Sequence, residues 1–285
     1  MQKFQIGAEN KMFFRWGENR YRKAWEMGFT HVDFNQTDSE IDLYLCSEQE
    51  LKERMLHEKS LMDEVGITVS QVHGPWRWPP RDYTESDRIE RMGKMKRSIY
   101  ATRLLGCKYW VIHPLMPFGW TERATDPGHE QETWDINRTF MCELLTTAKE
   151  NDITICIENM PMPDFSIGSP EEILRFVKDI NDEHFKICLD TGHVAVYPNG
   201  NPADAARMFG DDLKVLHVHD NNGAGDWHWL PYFGAIDWEN FGLALKEIGY
   251  QGVFSYETCA HIKLPDPYFE NMCRMLVQIA ENLLK

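Results

Sequence analysis

Imidazole and carboxylate side chains crowd residues 214–238, KVLHVHDNNGAGDWHWLPYFGAIDW. An apolar run there gives way to His217, His219 and Asp220. The turn-formers Asn221, Asn222 and Gly223 follow, and Asp226 and His228 stand two apart just beyond. Groups of this kind are costly to bury unless they bind a metal ion or take part in chemistry. Comparable groups close other apolar runs: His73, His113, Glu158, Asp190 with His193 three residues on, and Glu257. Taken singly, His73 before Gly74-Pro75 or Asp190 before Thr191-Gly192 reads as a turn cap. Glu158, Asp190, His217 and Glu257 together supply three carboxylates and one imidazole, a donor set suited to Mn²⁺, Co²⁺, Mg²⁺ or Zn²⁺. Without a cation, carboxylates so gathered would repel one another and at least one pKa would rise.

The elements that would hold these groups alternate in kind. Short apolar runs at 4–10, 31–35, 67–74, 108–114, 153–160, 185–193, 214–221 and 252–258 read as strands. Amphipathic segments at 21–27, 48–64, 87–105, 134–151, 170–181, 202–209, 238–248 and 267–284 follow them and read as helices. Gly28, Gly66, Gly106 and Gly249 fall just past helical segments, where a left-handed C-cap favours glycine. Ser169-Pro170-Glu171-Glu172 carries an N-cap serine, a proline at the first helical position and an acidic first turn. Eight β-then-α units predict a single α/β domain over 1–285, a (β/α)₈ or TIM barrel with right-handed crossovers. A doubly wound open sheet competes with it, but no GxGxxG turn follows the first run. In a barrel the catalytic groups sit at the C-terminal ends of the strands. His73, His113, Glu158, Asp190, His217 and Glu257 fall at those ends on strands three to eight. Such groups in register converge on one mouth, which turn capping does not explain. The long connection 115–133, with Phe118, Trp120 and His129, has the length of loops that cover active sites.

Composition narrows the class. Of 285 residues 42% are apolar and 26% charged, enough for a full core and against disorder. The formal charge of −15 opposes approach to a nucleic-acid backbone. Seven cysteines show no CxxC spacing, and Cys156 and Cys188 lie inside apolar runs, which fits a reducing, cytoplasmic setting. The opening MQKFQIGAEN lacks an apolar signal region, and no stretch of about 18 apolar residues predicts a membrane span.

The motifs VHGPW (72–76), IHP (112–114), IENMP (157–161), LDTGH (189–193), HVHDN (217–221), DWH (226–228) and YET (256–258) cover essentially the whole chain. Together they resemble the xylose isomerase-like TIM-barrel superfamily, the sugar phosphate isomerase and epimerase group that also contains type IV AP endonucleases. The resemblance implies Glu158, Asp190, His217 and Glu257 as metal ligands. His217 is preferred to His219 because HVHD matches the family's H-x-x-D pattern. It also implies Glu158 and Glu257 as the acid/base pair and His193 as a substrate contact. His73, His113, His193, Asp226 and His228 match further zinc ligands of the endonucleases, and they recur in sugar-isomerase-like relatives.

The leading expectation is therefore a metal-dependent isomerase or epimerase of a sugar or sugar phosphate. One divalent ion, Mn²⁺ or Co²⁺ ahead of Zn²⁺ or Mg²⁺, would chelate a carbonyl and the next hydroxyl and stabilise the enediolate. Trp76, Trp78, Trp227 and Trp229 flank the expected mouth and could stack on a sugar, and Arg77 could grip a phosphate or carboxylate. The alternatives are a trinuclear zinc phosphodiesterase, a lyase of the dehydratase type on the same metal site, and a barrel that binds without catalysis. The first lacks a basic, aromatic-interleaved stretch for DNA, and the last sits poorly with two retained glutamates. A small carbohydrate and, as in relatives, further copies of the chain are the expected partners, with neither nucleic acid nor membrane.

Overall fold

The structure, a computed structural model, describes residues 4–36, 42–76, 80, 82–126, 128–258 and 262–285. The strands are β1 Ile6–Glu9, β2 His31–Asn35, β3 Thr68–His73, β4 Tyr109–Ile112, β5 Thr154–Glu158, β6 Phe185–Asp190, β7 Leu213–His217 and β8 Phe254–Tyr256. They form one parallel sheet in the order β7-β6-β5-β4-β3-β2-β1-β8. Its two ends meet through a bridge between Val218 and Tyr256. There the Val218 N–H donates to Ser255 O (2.8 Å) and the Glu257 N–H donates to Val218 O (3.1 Å). The sheet thus closes into the single (β/α)₈ barrel that the repeated units predict.

The helices returning the chain between strands are α1 Arg20–Met27, α2 Glu48–Asp63, α3 Glu85–Leu104, α4 His129–Glu150, α5 Pro170–Ile180, α6 Pro202–Phe209 and α7 Trp238–Glu247; α8 Asp266–Leu284 follows β8. Local chemistry sets their ends. The Ser169 hydroxyl accepts from the Glu172 N–H and the Glu172 carboxylate from the Ser169 N–H, a reciprocal cap that starts α5. Gly28, Gly66, Gly106 and Gly249 all stand at positive φ where helices stop. Strand residues with side chains facing out, such as Trp110, Ile155, Ile157, Ile187 and Leu216, join the large core under the helices. Val111, Cys156, Cys188 and Val215 form a separate small cluster with Tyr109, inside the barrel.

Connection 115–133 is a tethered wall. Within it Glu122–Thr125 is helical, and the buried Glu122 accepts from the Ser166 N–H (2.8 Å) and the Thr133 hydroxyl. Arg123 donates to Glu130 (2.9 Å) and to Glu172. The Phe118 and His129 rings stack with centroids 3.9 Å apart. Features absent from the sequence expectation include a 3₁₀ segment at Asn10–Asn19 and the short helix Thr191–Ala195 after β6. Among the described residues no helix is long and apolar enough to cross a membrane.

Candidate functional site

Side chains alternate faces along a strand. Two residues beyond the inner cluster of Val111, Cys156, Cys188 and Val215 come His113, Glu158, Asp190 and His217. The same step leads from Gln71 to His73 and from Ser255 to Glu257. The period of two therefore turns the whole set inward at one end of the barrel. Register aligns its centre, with Glu158 opposite Cys188 and Asp190 opposite His217.

Ligand atoms of Glu158, Asp190, His217 and Glu257 all lie within 4.8 Å of one another. His217 Nδ1 is 3.0 Å from Glu158 Oε1 and 3.1 Å from Glu257 Oε2, so the two glutamates approach one nitrogen. Its Nε2 is 3.0 Å from Asp33 Oδ2. The other Glu158 oxygen is 3.1 Å from His113 Nε2 and 3.4 Å from His73 Nε2. Asp190 caps the short helix after β6, accepting from the His193 N–H (2.7 Å). Asn159 locks the ends of β5 and β6 together: its Oδ1 accepts from the Asp190 N–H (2.9 Å) and its Nδ2 donates to Asp190 O (3.1 Å).

The electrostatics separate the two glutamates. Burial pushes Glu158 up, but the His217 and His113 imidazoles outweigh it and hold the carboxyl well below its usual range. At Glu257 burial wins, helped by Glu9 and Glu158, and its pKa rises well above the ordinary value. Burial also opposes a charge on His217, yet Glu158, Glu257 and Asp33 override it and raise its pKa well above normal. Burial lowers His113 to about 4, leaving it neutral.

A second group lies alongside. His193, His219, Asp226 and His228 bring ligand atoms within 4.8 Å of one another. His219 Nε2 is 3.0 Å from Asp190 and 3.5 Å from Asp226, and its ring stacks on His228 with centroids 4.1 Å apart. The two strand-seven histidines thus take different partners: His217 meets the glutamates and His219 meets the aspartates. His219 has room only because residue 192 is glycine, where a Cβ would fall 1.9 Å from the ring. His228, at φ 50°, sits in the left-handed region and holds Glu257 O through Nδ1 (2.8 Å). Burial works against a charge on His193, but Asp190 and Asp226 raise it to about 10. Asp226 likewise raises His228, to about 11.

A 450 Å³ pocket opens above these groups, lined by Trp76, His113, Trp120, Met160, Pro161, Met162, His193 and Asp226. Trp76 packs edge-on against His113. Trp227 and Trp229 stack on each other, and Trp229 is tied to Asp220 by paired backbone hydrogen bonds beside the pocket, not in its lining. Arg77 and Trp78 lie outside the described residues. Trp120 comes from the connection expected to cover the site, whereas Asn159 as a tie and Glu9 and Asp33 as buried acids beside the site were not expected from the sequence. Asp33 had a signal, since it falls in the alternating run HVDFN of the second strand.

A family model described as a xylose isomerase-like TIM barrel matches residues 21–278. An uncharacterised protein of Methanocaldococcus jannaschii is 32% identical over 196 residues, 65% of this chain and 63% of that protein. A D-psicose 3-epimerase of Enterocloster bolteae is 36% identical over 111 residues, 39% of this chain and 35% of the epimerase. The chain thus spans less than two thirds of the length of either relative. Among solved structures, a D-tagatose 3-epimerase-like protein superposes with a TM-score of 0.76 at 24% identity, covering 99% of this chain and 100% of that one. A likeness at that identity speaks to the fold.

Proposed function

The chain belongs to the xylose isomerase-like TIM barrel family, and within it we propose that this protein is a cation-dependent isomerase or epimerase of a neutral sugar or polyol. The observation that carries this reading is the approach of Glu158 and Glu257 to one nitrogen of His217. Glu158 Oε1 and His217 Nδ1 are buried and 3.0 Å apart, yet neither makes a hydrogen bond among the described residues. Two bare donors facing a shared point suit a divalent ion held by Glu158, Asp190, His217 and Glu257. Mn²⁺ or Co²⁺ fits that mixed oxygen and nitrogen set. When bound, such an ion supplies a Lewis acid that polarises a carbonyl and acidifies the neighbouring C–H.

The chain's own groups then divide the work. Glu158, held ionised by its histidines, takes the proton from carbon; Glu257, from the other side of the ring, returns one to the opposite face in an epimerisation. His193 donates a hydrogen bond to a substrate oxygen. Trp76 and Trp120 pack on the apolar face of the sugar, while Met160, Pro161 and Met162 keep water out. Asp226 lines the pocket and further acids lie beneath it, which favours an uncharged substrate over a sugar phosphate. The D-psicose 3-epimerase relative points the same way.

The direct test is proton exchange. Neutral ketoses incubated with the protein and Mn²⁺ in deuterated water should take up one solvent deuteron per conversion, followed by NMR. Chelation should stop the exchange, and Glu158→Gln should slow it by about 10²–10⁴-fold. Full activity in that variant would overturn the mechanism. A second reading, phosphodiester cleavage at a trinuclear zinc site, draws on the cluster of His193, Asp226 and His228. The charge of −15 stands against it, and cleavage of abasic DNA without any sugar exchange would establish it instead.

A further inference from the structure

We propose that Asp33 is a positioning residue for His217, setting which ring nitrogen faces the candidate cation site; the inference rests on the metal reading above. Asp33 comes from β2, a strand to which sequence reasoning gave no role, and its side chain is buried. β2 and β7 are not neighbours in the sheet, so the 3.0 Å contact from Asp33 Oδ2 to His217 Nε2 crosses the barrel interior. Gln71 fixes that span. Its Nε2 donates both to the same Asp33 oxygen (3.1 Å) and to Leu216 O (3.0 Å), the carbonyl just before His217. One amide therefore ties the carboxylate to the backbone that carries the imidazole.

The chemical consequence follows from tautomerism. A carboxylate only accepts, so the Nε2 facing Asp33 must carry the proton. Once His217 is neutral, the lone pair is on Nδ1, the atom between Glu158 and Glu257. A carboxylate behind a ligating imidazole both orients the ring and makes it a stronger donor, and losing such a partner typically weakens metal binding by about 10–100-fold. The competing explanation is that Asp33 and Gln71 merely cross-link two strands.

Asp33→Asn keeps the shape of the side chain and removes its charge. Titrating Mn²⁺ into metal-free protein, with free Mn²⁺ read by electron paramagnetic resonance, should show binding about 10–100-fold weaker than in the parent. The thermal midpoint of the metal-free variant should stay close to the parent's. Unchanged Mn²⁺ affinity with a lowered midpoint is the signature of a cross-link and would overturn the proposal. A parent chain that binds no divalent ion would overturn the reading of the site and this inference together; a parent that binds while the variant binds equally sinks this inference alone. Should the variant not fold, the parent loaded with Cd²⁺ still decides. Cadmium–nitrogen coupling at His217 Nδ1 is expected, and coupling at Nε2 would exclude the proposed role.

Discussion

His217 shows how much one side chain's surroundings decide. Its ring touches Glu158 and Glu257 on one nitrogen and Asp33 on the other; Glu158 and Asp33 are buried, while Glu257 is partly exposed. In the metal-free chain both His217 and Glu257 are pushed well above their ordinary pKa values, which favours the protonated form of each. A cation held by His217 must displace the proton on the nitrogen that faces it. Binding is therefore predicted to release protons and to tighten as pH rises. Calorimetric titrations in buffers of different ionisation enthalpy count those protons; affinity that is flat with pH would contradict the assignment. At this scale the sequence displayed the donors but not their partners. His217 and His219 are two apart in one motif, and residue type alone does not say which meets the glutamates. That choice depends on Gly192, whose missing side chain leaves space for His219 against Asp190. Asp33 stayed hidden because its partner is 184 residues away.

Among the elements, those with a periodic apolar face and a clear cap were legible. α5 begins at Pro170, where Ser169 and Glu172 cap it reciprocally, and β2 spans His31–Asn35 as its apolar alternation predicts. α4 was harder. It starts at His129, five residues before its apolar stripe suggests, because its first turns bury polar side chains instead. Thr133 donates to Glu122, and Asn137 both accepts from the Leu115 N–H (2.7 Å) and donates to its carbonyl (2.9 Å). No hydrophobic pattern announces such a start. The 3₁₀ segment at Asn10–Asn19 was equally opaque, since it has no side-chain cap and bends at Gly17, φ 54°. Glu122 also makes a prediction possible at this scale. Truncating it to alanine strands the Ser166 N–H and the Thr133 hydroxyl in a buried setting, a loss of about 1–3 kcal/mol. A fall in the urea midpoint at unchanged slope would register it; no change would mean the wall stands without its anchor.

At the scale of the whole molecule, eight repeated units were enough to specify a barrel, because strand and helix signals alternate without interruption from β1 to α8. How the barrel shuts was not written so plainly. The ordered ladder runs unbroken from β7 round to β8, and among the described residues a single short bridge, from Val218 to Tyr256, pairs its ends. Those ends carry His217 and Glu257, on either side of that bridge. An ion held by both would act as a clasp across the weakest join in the cylinder. Amide hydrogens at Val218 and Glu257 should then exchange with solvent more slowly once Mn²⁺ is bound, while those between β3 and β4 keep their rates. The same four side chains proposed to hold the ion would also keep the cylinder shut, so that stripping the ion loosens the molecule first at the place where its chemistry is done.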